Sequence, residues 1–158
     1  VVTLAASPTG IVNLPTSINV GTGAKTVSFN FTTKAQSVAK TVRITATLAP
    51  TSAFADLVVR APGIGSLKFT PARVVGPGSS VGRITLDGPA PQGGINLTVT
   101  SGNTSYARVA GSNVVHIPAG QLSGTFNVTT SRVSRSVGVL FTATSVLGTK
   151  SGYLYVDP

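Results

Sequence analysis

The chain has 158 residues and a mass of 15.8 kDa, room for one ordinary domain or two small ones, and Ser, Thr, Gly, Ala and Val dominate it. Charged residues make up only 9%, against about 25% in an average globular chain, yet hydrophobic residues at 41% exclude disorder and call for a folded core. Lys and Arg number 12 against three Asp and no Glu, a net charge of +9, and Cys, Met and Trp are absent, which leaves little from which to build an enzyme.

Apolar residues alternate with polar ones along the whole chain, and no segment carries a sustained 3.6-residue stripe, so the expected class is all-β. Val1 to Ala6 is expected to open the chain as a strand, followed by Val27 to Thr33, Val42 to Thr47 and a segment whose Leu57 and Val59 share a face. Next come Leu67 to Thr70 and Val81 to Leu86, where Ile84 and Leu86 oppose Arg83 and Thr85. Ile95, Leu97 and Val99 oppose Asn96, Thr98 and Thr100, and His116 points away from the face of Val115 and Ile117. Phe126 and Val128 form one face of a further strand; Val137, Val139, Phe141 and Ala143 form one face of the next. Leu154 and Val156 turn inward in the last strand, leaving Tyr153 and Tyr155 outside. Turn signals such as Gly76-Pro77-Gly78, Gly88-Pro89, Pro91-Gln92-Gly93-Gly94, Gly102-Asn103 and Pro118-Ala119-Gly120 punctuate these runs. Short strands at regular spacing point to a sandwich.

Sliding the sequence against itself by 97 places aligns VSFNFTT (Val27 to Thr33) with GTFNVTT (Gly124 to Thr130), and VRITAT (Val42 to Thr47) with VLFTAT (Val139 to Thr144). Gly23 to Ala61 matches Gly120 to Pro158 without gaps, and Phe29/Phe126, Val42/Val139 and Ala46/Ala143 agree in burial phase as well as in letter. Two related sandwich units are therefore expected, residues 1–61 and 62–158. The first is shorter by 36 positions, and in the second those positions hold the candidate strands Leu67 to Thr70 and Val81 to Leu86. The first unit is thus expected to lack its first two strands. Three explanations stand side by side: an excerpt from a longer tandem array, strands supplied by another molecule, or a naturally short variant. The missing initiator Met and charged-then-apolar leader fit a processed chain or an excerpt. A sheet without those strands shows water an apolar face and an unpaired edge, which a neighbour's strand could complete.

The segment Val74 to Val133 resembles the tandem immunoglobulin-like repeats of bacterial surface and secreted proteins. Gly88-Pro89-Ala90-Pro91-Gln92-Gly93-Gly94 matches their "LxxPAPxGG" turn and His116-Ile117-Pro118-Ala119-Gly120 their "VxVPAG" segment. The first unit matches from its middle onward, with Gly21-Thr22-Gly23 replacing the Pro-Ala-Gly turn. The resemblance implies an extracellular or cell-surface, modular, load-bearing or spacing role and carries no catalytic residues.

No catalytic, cofactor-binding or metal site is expected. Asp56, Asp87 and Asp157 are scattered, His116 is alone, and zinc and calcium both need clustered ligands. Lys34 and Lys40 flank one interstrand connection and Arg132 and Arg135 the equivalent one, so a basic end could meet polysaccharide, cell-wall polymer or a neighbouring subunit. Nucleic acid is not expected, because no aromatic interleaves with these charges. Tyr153 and Tyr155 offer a second interaction surface, for a partner protein or a sugar. Acceptor triplets for N-glycosylation stand at Asn30, Asn96, Asn103 and Asn127, with Asn103 in a turn. No apolar run is long enough to span a bilayer. The expectation for function is a non-enzymatic extracellular structural protein that associates with itself or with neighbouring repeats; a carbohydrate- or polyanion-binding adhesion module is the alternative.

Overall fold

The computed structural model describes every residue from Val1 to Pro158 and contains strands, turns and loops but no helix. The chain is all-β. It divides into two compact units, Val1–Ala61 and Pro62–Pro158.

Unit 2 holds nine strands: β7 (Ile64–Thr70), β8 (Arg73–Val75), β9 (Ser79–Leu86), β10 (Ile95–Ser101), β11 (Ala107–Val109), β12 (Val114–Ile117), β13 (Ser123–Thr130), β14 (Val137–Ser145) and β15 (Gly148–Asp157). One sheet runs β12-β10-β14-β15-β8 and the other β11-β13-β9-β7. Every pairing is antiparallel except β15 with β8. The two inner faces share one core, with Leu97, Val99, Val139, Phe141, Leu154 and Val156 from the first sheet and Leu67, Phe69, Ile84, Phe126 and Val128 from the second. Burial alternates cleanly along β9, β10 and β13, as period-two side chains on a one-sided sheet must.

Unit 1 holds β1 (Val2–Ser7), β2 (Val12–Asn13), β3 (Ser17–Ile18), β4 (Thr32–Thr33), β5 (Lys40–Leu48) and β6 (Thr51–Val59). Its main sheet runs β3-β1-β5-β6, and β2 pairs with β4 alone. This order corresponds strand for strand to β12-β10-β14-β15 and to β11-β13. Leu4 faces Ala46 as Val99 faces Ala143, and Val12 faces Thr33 as Ala107 faces Thr130. Bonds between the strands agree too: Leu4 donates its N–H to the Thr16 carbonyl at 2.8 Å and Val99 to that of Asn113 at 2.7 Å. Lys34 donates to Ile11 at 2.8 Å, and Ser131 to Tyr106 at 2.9 Å.

Unit 1 has no counterpart of β7, β8 or β9. The sequence suggested that two strands were missing; unit 2 in fact places three ahead of the shared part. The third, β8, spans three residues between Pro71 and Gly76-Pro77, too few to show any periodicity. It closes the β15 edge in parallel through Val74, paired with Val156.

Candidate functional site

The inner face of the unit 1 sheet is built from Leu4 and Ala6 on β1, Val42, Ile44 and Ala46 on β5, and Ala53, Ala55, Leu57 and Val59 on β6, which the strand registers set side by side. One end of this face is covered: Ile11, Val12, Val42 and Val59 are buried together, with Ala6, Leu14 and Leu57 packed against them. The other end is open. Leu4, Phe29, Ile44, Ala46, Ala53 and Ala55 line a groove of about 280 Å³ there.

In unit 2 the corresponding space is filled by the sheet that carries β9 and β7. Phe126 on β13 packs edge-on against Phe69, with ring centroids 6.1 Å apart, and lies 6.5 Å from Phe141. β13 itself is held along seven residue pairs by β9, from Ser123↔Thr85 to Thr129↔Ser79. The corresponding segment of unit 1, 26–32, alternates Val27, Phe29 and Phe31 with polar residues, yet only Thr32 belongs to a strand. Without a strand on its far side, Val27 remains 41% and Phe31 37% exposed, whereas Val128, the counterpart of Phe31, is fully buried. Thr33 shows the same contrast. It is exposed, while its counterpart Thr130 is buried, accepting a hydrogen bond from the Gly78 N–H at 2.9 Å and donating to the Gly78 carbonyl at 3.2 Å.

Tyr153 and Tyr155 lie on the outer face of β15, their rings stacked at 6.2 Å with 25° between planes. The Arg73 guanidinium sits 5.0 Å from the Tyr155 ring centre and donates to Asp157 Oδ1 at 2.6 Å; the Ser136 hydroxyl donates to the same oxygen. Arg73, which the sequence did not single out, therefore joins the tyrosine pair, because β8 runs parallel to β15 and aligns Arg73 with Tyr155. On the corresponding outer face of unit 1, Arg43 forms a two-pronged pair with Asp56 at 2.8 and 3.0 Å and covers the Phe54 ring at 4.0 Å. That hydrogen-bonded pair, aided by charge attraction, holds the Asp56 carboxyl below its ordinary range and the Arg43 guanidinium above its own.

Lys34 follows β4 and Lys40 opens β5, while Arg132 and Arg135 occupy the connection from β13 to β14; all four are exposed. His116 is exposed on β12, its Nδ1 2.8 Å from Asn96 Oδ1. Asn30, Asn96, Asn103 and Asn127 are all exposed, and Asn103 sits in a turn where its Oδ1 accepts the Ser105 N–H at 3.1 Å. Asp87 accepts the Gly63 N–H at 2.5 Å, so each of the three carboxylates has a structural partner in its own place. No group of three or more His or Asp side chains gathers to hold a metal ion, and no helix is long and apolar enough to cross a membrane.

Among known proteins, no family model matches the chain, and no curated protein matches it significantly.

Proposed function

We propose that the protein is a structural component of an extracellular surface array or filament, made of two immunoglobulin-like sandwiches, the first of them open to completion by a β-strand from outside residues 1–158. The observation that supports this reading is the contrast between one sheet arrangement covered in unit 2 and left open in unit 1. A groove lined by half-buried Phe29, Ile44 and Ala46, beside backbone at 26–31 that pairs with no strand, favours strand addition, which satisfies main-chain groups and apolar surface together. The carboxylates are occupied in ion pairs and turn contacts, which supports a non-enzymatic role.

The test is electron microscopy and light scattering on the native material. Ordered polymers that give up the 158-residue chain only on unfolding are the expected result. A folded, monodisperse monomer at every concentration contradicts the reading.

A second reading is favoured by one observation, the stacked Tyr153–Tyr155 platform with Arg73 beside it, which suits the face of a sugar or an anionic polysaccharide. Retention on polysaccharide that disappears in the Tyr153→Ala, Tyr155→Ala double variant supports adhesion; unchanged retention, or none in the parent chain, removes it.

A further inference from the structure

We infer that the outer face of the β11-β13-β9-β7 sheet in unit 2 binds an extended acidic polysaccharide, with Lys68, Arg83 and Arg108 meeting its anionic groups. This surface belongs to the other sheet from the Tyr153–Tyr155 platform and does not depend on how unit 1 is completed.

Strand register assembles the face. Lys68 on β7 stands directly opposite Arg83 on β9, and Arg83 opposite Thr125 on β13, so two cations sit side by side across an antiparallel pair. Both are exposed, and like charges in that position repel. A lysine on an edge strand such as β7 guards against unwanted strand pairing, but β9 lies inside the sheet, so edge protection leaves Arg83 unexplained. No carboxylate neutralises the pair: β7, β9, β11 and β13 contain no acidic residue, Asp157 belongs to β15, and Asp87 lies beyond the end of β9, where it accepts the Gly63 N–H. Arg83 donates instead to the Ser123 hydroxyl at 2.8 Å, which fixes the guanidinium and leaves its other N–H groups for an acceptor. Lys68 and Arg108 make no ion pair.

Arg108 on β11 faces Thr129, which in turn faces Ser79, four residues along β9 from Arg83. The cations therefore mark the two ends of a strip about 13 Å long in the strand direction, with Thr125, Asn127 and Thr129 exposed along it. A ligand that reaches both ends is elongated and repeats its negative charge, and the hydroxyl and amide side chains between suit sugar hydroxyls. No aromatic side chain faces outward from these four strands, since Phe69 and Phe126 are turned into the core, so nucleic-acid bases have nothing to stack on. A second copy of the chain is a poor match, because its three carboxylates are all held in structural contacts. Charge complementarity thus favours an acidic polysaccharide.

The experiment measures binding of the full chain to polygalacturonate at low ionic strength, with neutral dextran and duplex DNA in parallel. Polygalacturonate is expected to bind, less tightly as salt is raised, and dextran is expected not to bind. The Lys68→Gln, Arg83→Gln double variant should lose at least about tenfold in affinity and Arg108→Gln at least about threefold, whereas Lys34→Gln with Lys40→Gln, which removes the same charge elsewhere, should stay within about twofold. Lys68→Glu should abolish binding while raising the thermal midpoint of unit 2, because the new carboxylate pairs with Arg83; that combination separates lost binding from lost folding. No binding to polygalacturonate, equal losses in the two double variants, or a Lys68→Glu chain that binds like the parent overturns the inference. Tighter binding to DNA that the Lys68, Arg83 variant abolishes also overturns it and makes nucleic acid the occupant. Self-association that the same variant abolishes does so too, with a second copy of the chain as the occupant. Polysaccharide binding lost only in the Tyr153→Ala, Tyr155→Ala variant belongs to the tyrosine platform and overturns this inference, so the two surfaces stand or fall separately.

Discussion

Phe29 and Phe126 occupy matching places in the strand pairing, and their surroundings set very different energies. Phe126 is buried between Phe69 and Phe141, so Phe126→Ala should destabilise unit 2 by about 3–5 kcal/mol in chemical denaturation, whereas Phe29→Ala should cost less, about 1–2 kcal/mol, because Phe29 is only half-buried. Arg43 and Asp56 give a test of another kind. Asp56 has a lowered carboxyl pKa in the folded chain, so the pair contributes stability at neutral pH. That contribution fades as pH falls below the unfolded carboxylate value and through the depressed folded one. Since both groups are exposed, the effect on stability is small. A carboxyl NMR titration should place the Asp56 midpoint below that of an ordinary aspartate, and Arg43→Ala should return it upward.

At the scale of strands, glycine marks where two backbones or a ring and a backbone come closest. Gly152→Ala should loosen β7 from unit 2 by about 1–3 kcal/mol, read as a lower thermal midpoint, because the new methyl meets the Leu67 carbonyl. The long strands were legible in the sequence: β9, β10, β13 and β14 alternate over seven or more residues, and their inward rows are those expected. The short ones were not. β3, β8 and β11 have two or three residues each and exist because a longer neighbour offers hydrogen bonds, while β2 and β4, two residues each, pair only with one another; in none of them does the strand's own pattern specify it. The segment Val27 to Thr33 shows the reverse case, since its alternation specifies a strand but only Thr32 and Thr33 find a partner. Of the candidate surface, the tyrosine pair was visible because Leu154 and Val156 fix the inward face of β15. Arg73 was hidden because its place beside Tyr155 depends on the parallel pairing of β8.

For the whole chain, the division into a well-filled unit and a sparsely filled one predicts two separate unfolding events. Val42 and Val59 anchor a small core in unit 1, whereas unit 2 buries both sheets against each other, so calorimetry should show unit 1 melting first and only its transition rising when a strand is supplied. The most direct test of the central claim is native-state hydrogen exchange on the isolated monomer, comparing amides 26–31 with amides 123–128. The account predicts exchange at least about a hundredfold faster in the first segment, because β9 has no counterpart there. Equal protection of the two segments in a proven monomer would show that unit 1 closes its own sheet and would contradict it.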